Sequence, residues 1–185
     1  SLPVFYLLIM GAIMLTKIDI CSMALLKLGE APIQSLSDDT ASAQLARTLF
    51  DTISDTLIAS YPWRFATCTT DLTRCADGDF LIPTDVLRII DCPGKITGNK
   101  IICAGDSITI TALRRVTPEN MPTYFASLLA TKLAMEFCVP LSGDNNVFRM
   151  LIALYESEFQ SAKFIDASTS SSQRIQDFSL LNARF

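Results

Sequence analysis

The residues of this chain that could do chemistry are few, and their spacing argues against a reaction. There are six cysteines (Cys21, Cys68, Cys75, Cys92, Cys103 and Cys138) and no histidine. Without imidazole, Ser-His-Asp and Cys-His arrangements as usually built are excluded, as is every metal site that needs a histidine ligand. No two cysteines form a CxxC pair, and Cys21 and Cys138 lie on apolar faces of helical patterns. They read as buried, reduced thiols of a protein made in the cytoplasm; disulfides or a tetrathiolate zinc site are the alternatives. Glu156 and Glu158 stand two residues apart and cannot share a helix face. Asp51 and Asp55 do share one, and with no companion ligand they read as solvated charge. Gly143-Asp144-Asn145-Asn146 matches half of a calcium loop but lacks the later ligands, so it reads as a helix cap. No Walker loop, GxGxxG, HExxH or EF-hand pattern is present. The expectation is a protein that is not an enzyme, with no catalytic residue, no cofactor and no metal.

One cluster remains. Tyr61-Pro62-Trp63-Arg64-Phe65-Ala66 holds the only tryptophan, flanked by two further aromatics, directly after a helix-breaking proline. Tyr61, Trp63 and Phe65 read as a structural aromatic plug closing the base of a helical bundle, against the rival reading of a ligand-binding aromatic site.

The elements that must position this plug are mainly helical. The most apolar stretch, Thr117 to Asp166, reads as two antiparallel helices. Thr117 is the expected N-cap and Pro118 the first helical residue. Phe125, Leu128, Leu129, Leu133 and Phe137 recur at helical spacing, and Ala126, Ala130 and Ala134 form a small-residue stripe. A helix this apolar around its circumference is central. Pro140 and Gly143 are expected to end it. Asp144 can cap the next helix, whose expected core face is Val147, Met150, Leu151, Leu154 and Phe159. Upstream, Thr16–Leu28 reads as a helix buried along Ile18, Cys21, Leu25 and Leu28, ended by Gly29 and Pro32. A second helix reaches about Ser60 with Leu45, Leu49, Ile53 and Leu57 in an i, i+4 row.

From Thr67 the period shortens. Phe80–Pro83, Val86–Ile90, Lys95–Thr97 and Lys100–Cys103 are short strand candidates, with Gly98-Asn99 as a tight hairpin turn. Ser107–Leu113 alternates, with Ile108, Ile110 and Ala112 on one face. The predicted fold is therefore mainly α (α+β): an antiparallel bundle of about four helices with one small antiparallel sheet inserted at about 80–115. The domain division is an apolar extension at 1–15, the bundle at 16–167, and an extended tail at 168–185.

The two ends are unusual. The uncharged run to Ile13 is too short for a membrane span and lacks the basic start of a secretory signal, so no span is expected. Either Met14 begins the natural chain, the favoured reading, or residues 1–13 are an apolar arm that docks on a neighbour. Ser168–Ser172 is a serine-rich linker. The segment beyond it carries Ile175, Phe178, Leu180, Leu181 and Phe185, apolar enough to need a docking surface. Across the 185 residues half are hydrophobic and only 18% are charged, an apolar excess that implies surface for a partner to cover. Net charge is −4, and Lys and Arg form no patch, which argues against an electrostatic nucleic-acid binder.

Four stretches carry a resemblance. Ile20-Cys21-Ser22-Met23-Ala24-Leu25-Leu26-Lys27-Leu28-Gly29-Glu30-Ala31-Pro32-Ile33 resembles the opening of the phage head-to-tail adaptor, or tail tubular protein A, family. Tyr61–Ala66 follows at the family's distance. Leu81-Ile82-Pro83-Thr84-Asp85-Val86-Leu87-Arg88-Ile89 is similar to its Leu-Pro-x-Asp-x-x-Arg strand, with Ile82 inserted. Met121–Phe125, then Leu133-Ala134 and Pro140-Leu141, continue the match. The resemblance covers about Thr16 to Asp166 and departs at residues 1–13 and in the tail. It implies a non-enzymatic virion neck protein of a tailed phage or prophage, made in the host bacterial cytoplasm. It implies a twelvefold homo-oligomeric ring beneath the portal protein that carries the tail nozzle or tail tube protein, with DNA passing the lumen without specific binding. The tail would grip the portal or a neighbouring subunit through Ile175, Phe178, Leu181 and Phe185, with Arg174 and Arg184 as polar contacts. Two rivals stand beside it: a bacterial scaffolding or regulatory helical module that binds a partner helix, and an enzyme using carboxylates alone.

Overall fold

The computed structural model describes residues 15–168. The extension before Leu15 and the tail after Ser168, with Arg174, Ile175, Phe178, Leu181, Arg184 and Phe185, lie outside the described residues. Four helices form the larger layer: α1 (Lys17–Lys27), α2 (Ala41–Ser60), α3 (Thr123–Leu141) and α4 (Asn145–Ser168). Six strands lie between α2 and α3: β1 (Thr67–Thr73), β2 (Phe80–Leu81), β3 (Val86–Asp91), β4 (Lys95–Thr97), β5 (Lys100–Ile102) and β6 (Ser107–Arg114).

The fold class needs correcting. The described residues are 52% helical and 19% strand, and the strands make two sheets, which is an α+β mix. The single inserted sheet of a mainly α protein is not what forms. One sheet runs β1-β6-β3 and the other β2-β5-β4, all antiparallel. Strand pairing also starts at Thr67, ahead of the expected 80–115 insertion, because β1 pairs along its whole length with β6 from Thr67↔Leu113 to Thr73↔Ser107. Four threonines and an aspartate give β1 no apolar alternation; its partner lies some forty residues downstream.

The helix ends follow local chemistry. Thr16 caps α1 by a reciprocal box: its hydroxyl accepts from the Asp19 amide, and the Asp19 carboxylate accepts from the Thr16 amide. Hydrogen bonds to its carboxylate from the Thr16 hydroxyl, at 2.7 Å, and then from the Thr16 amide hold the Asp19 carboxyl below its ordinary pKa. Gly29 follows in a left-handed conformation, φ 79°. Pro118 opens only a short 3-10 turn, Pro118–Asn120, and α3 begins at Thr123 behind Pro122. Pro140 lies within the last turn of α3, and Gly143 at φ 61° closes it by donating to the Cys138 carbonyl at 2.8 Å. The Asp144 carboxylate then accepts from the amide of Asn146 at 2.7 Å.

α3 is the centre: α1, α2 and α4 all pack on it, and Phe125, Leu128, Leu129, Leu133, Ala134 and Phe137 are fully buried. By length and composition α3 is apolar enough to cross a membrane; here its apolar side chains form the core of the bundle. A second, smaller core lies in the sheets, where Ile108, Ile110 and Ala112 of β6 meet Leu72, Phe80 and Ile101. Leu113, next on β6, belongs to the helical core instead, so the end of this strand joins the two cores.

Two expected faces are rotated. On α2 the buried residues are Ala43, Ala46, Phe50, Ile53, Ser54, Leu57 and Ile58, so Leu45 and Leu49 are only half-buried. On α4, Leu151 is buried, but Met150 is 72% and Leu154 41% exposed. Both helices carry an apolar stripe wider than the fold covers, and small alanines take the closest approach.

Candidate interaction surfaces

The aromatic cluster is positioned by a change of direction. α2 stops at Tyr61, Pro62 prevents its continuation, and Arg64–Ala66 forms a 3-10 turn into β1. Trp63 is fully buried at this corner. Its ring lies 4.9 Å from Tyr61, 5.2 Å from Phe125, 5.8 Å from Phe159 and 6.2 Å from Phe65, centroid to centroid. The contacts with Tyr61, Phe125 and Phe159 are edge-on, the favoured arrangement for aromatic quadrupoles. The indole N–H donates at 3.0 Å to the Leu57 carbonyl in the last turn of α2, which also accepts from the Ser60 hydroxyl. Phe65 packs 4.8 Å from Phe125. Tyr61 lies further out, with the Lys163 ammonium 5.9 Å from its ring.

Asp166, near the end of α4, is 2% exposed and had no signal in the sequence pattern. Its carboxylate accepts from the Arg64 amide at 3.0 and 3.3 Å and from the Tyr124 hydroxyl at 2.7 Å. An anion at the start of a 3-10 turn serves its free amides as it would at any helix N-terminus. Burial, then the hydrogen bond to Asp166, push the Tyr124 phenol well above its ordinary pKa.

The carboxylates set aside as solvated are paired. Asp51 meets Lys17 at 3.0 Å. Asp55 takes a bidentate grip from Arg115, as close as 2.5 Å, which ties α2 to the residue after β6. Glu158 acts alone rather than with Glu156. It accepts from Lys27 of α1 at 3.1 Å and from Thr131 of α3, joining three helices at a partly buried point, while Lys27 also donates to Thr131 at 2.5 Å. Glu158 Oε1 further accepts from Ser127 at 3.4 Å. Such a cluster has the groups of a nucleophile and base, but its bonds are spent on holding helices together, and the four main hollows of the described residues are lined by other side chains. In the strand stretch, the Arg88 guanidinium donates to the Ala59 carbonyl at 2.7 Å, and the Asp85 carboxylate lies 3.5 Å from Arg114. Arg88 anchors the sheet to the end of α2, while Asp85 ties the start of β3 to the end of β6.

Cys21 and Cys138 are buried and Cys75 is exposed; all six thiols are free. Burial pushes the Cys21 thiol up to about 12. Cys92 and Cys103 line one open hollow of about 440 Å³ beside Asp91 and Pro93. Among the described residues no group of three or more Cys, Asp or Glu is placed to hold a metal ion.

What stands out is apolar surface. On α4, Met150, Leu154, Phe164 and Ile165 fall on one helical face, with Phe164 75% and Met150 72% exposed. Leu26 of α1 is 60% exposed beside Lys27, which bonds to Glu158 of α4. Val139, at the far end of α3, is 68% exposed. Large apolar residues spaced along one face mark a surface for another chain. Sequence reading put Met150 and Leu154 in the core because periodicity reveals an apolar stripe and not what covers it. No family model matches the chain, and no curated protein matches it.

Proposed function

We propose that this protein is a structural subunit of a phage or prophage neck, a ring adaptor between the portal and the tail that continues the DNA channel. The observation that carries the reading is the α4 stripe of Met150, Leu154 and Phe164, exposed on a fold whose helical core is formed by the other helical faces. A ring subunit needs such a face on each flank for its neighbours. The four stretches that resemble the adaptor family support it further: they fall on α1, the Trp63 corner, the Asp85–Arg88 anchor and α3, the parts that set the geometry of this fold. A weakly charged, acidic chain suits a lumen through which DNA must slide, because phosphate binding requires Lys and Arg.

In this reading the subunits close into a twelvefold ring, and the tail grips the portal through Ile175, Phe178, Leu181 and Phe185 with Arg174 and Arg184. The test is native mass measurement of the purified protein, alone and mixed with the portal protein of the same phage or prophage. A ring that forms with the portal is expected, and Phe164→Glu should abolish it with helix content unchanged. Truncation after Ala167 should leave the bundle folded and remove portal attachment. A protein that stays monomeric beside its portal would end the neck reading and favour the bacterial scaffold alternative.

A further inference from the structure

A second uncovered face lies on the other side of the bundle. α2 and α4 both pack on α3, and a trough runs between them with α3 as its floor. It consists of two hollows of about 310 and 300 Å³ that share Leu49 as a wall. Around the second, Leu49 and Ile53 of α2 form one side and Tyr155 of α4 the other, over the Lys132–Glu136 ion pair of α3 at 3.0 Å; the first continues along α2 past Leu45 to Pro140 and Leu141 at the end of α3. Leu45 and Leu49 are the residues whose periodicity marked them as core and which the bundle leaves half-buried. The trough has the shape of a slot for one more amphipathic segment.

We infer that residues 174–185 of the same chain occupy this trough. The place where α4 ends argues for it. Lys163 lies 5.9 Å from the Tyr61 ring and Asp166 is fastened to the Arg64 amide, so α4 finishes beside the end of α2, where Ser60 lines the trough. The hollow shared by Leu49 and Ser60 spans about 16 Å of helix, and residues 169–185 reach about 25 Å even if wholly helical. Ile175, Phe178, Leu181 and Phe185 recur three to four residues apart and so present one apolar stripe in helical form. Glu136, 44% exposed on the floor, offers a carboxylate to the flanking arginines Arg174 and Arg184. Residues 1–14 are the poorer occupant. The Lys17–Asp51 pair places the start of α1 at Asp51, which points away from Leu49 across α2. The inference concerns the free chain and does not depend on the neck reading; in that reading the same residues leave the trough when the portal takes them up.

The experiment replaces Phe178 in the full chain with photoreactive p-benzoylphenylalanine, irradiates dilute protein without portal, and maps the cross-link by mass spectrometry. A link from position 178 to Leu45–Leu57 or to Tyr155 is expected. Mixing ¹⁵N-labelled with unlabelled chains should give only links within one chain. Leu49→Lys should lower the yield about tenfold with helix content unchanged; should that variant unfold, Leu45→Lys on the trough wall replaces it. A link between differently labelled chains overturns the inference, as does a link to the Met150–Phe164 face, no link at all, or a yield that neither lysine alters.

Discussion

Replacing Trp63 tests whether the corner between α2 and β1 holds the bundle together. The side chain is fully buried, has four aromatic neighbours within 6.2 Å, and donates one hydrogen bond at 3.0 Å to Leu57. Burying about 200 Å² at roughly 25 cal/mol per Å² is worth about 5 kcal/mol, an upper figure because unfolded chains already hide some of it. Large-to-small aromatic changes in cores cost about 3–5 kcal/mol, and the lost hydrogen bond alone about 1 kcal/mol. Trp63→Ala should therefore cost about 4 kcal/mol, while Trp63→Phe, which keeps the ring and loses the donor, should cost about 1–2 kcal/mol. Against a total stability of about 5–15 kcal/mol the alanine variant would be close to unfolding near body temperature. Urea denaturation followed by far-ultraviolet circular dichroism measures both, since the change removes the only tryptophan as a fluorophore. A loss below about 1 kcal/mol for Trp63→Ala would show that the corner is not a support. So would native Trp63 emission that already matches the unfolded chain.

Two further outcomes follow from the polar groups. Glu158→Ala leaves Lys27 and Thr131 without their shared acceptor and should cost about 1–3 kcal/mol, while Lys27→Met with Glu158→Leu should recover most of it. Losses that simply add in the double variant would contradict the coupling. Cys21 has its folded pKa raised to about 12 from an ordinary 9.0, so between those values the unfolded chain releases a proton that the folded chain keeps. Stability should fall as pH rises from about 9 to 12, and Cys21→Ala should flatten that slope. An unchanged slope in urea titrations across that range would refute the burial of the thiol.

Features set by neighbours a few residues apart were legible in the sequence: the Gly29 stop, the Asp144 cap, the Gly98-Asn99 turn between β4 and β5, and the alternation of Ile108, Ile110 and Ala112. The all-round apolar pattern that marked α3 as central was equally local. What was missed depends on partners far along the chain. β1 has little strand pattern of its own and exists because β6 offers a full ladder. The face that α2 turns inward is set by how closely Ala43 and Ala46 let it approach, which no i, i+4 row of leucines reveals. Asp166 reads as one more charge on an amphipathic helix, and its burial follows from Tyr124 and the Arg64 amide arriving from elsewhere. Of the interaction surface, the sequence disclosed the apolar excess and the residues carrying it, while which of them stay bare emerged only from packing.

The bond between Asp166 and the Arg64 amide has a consequence in time. A ribosome delivers α1, α2 and the strands before any of α3, the helix on which α1 and α2 both rest. The corner at Trp63 waits for Phe125 and then for Phe159, and its backbone is completed only when a carboxylate 102 residues downstream emerges. Closing so long a loop is slow, and the early helices must remain unpaired while synthesis continues. The nascent chain therefore stays vulnerable to proteases and to self-association until α4 has emerged. The apolar face of α4, the surface most apt to stick, is the last described element to be made.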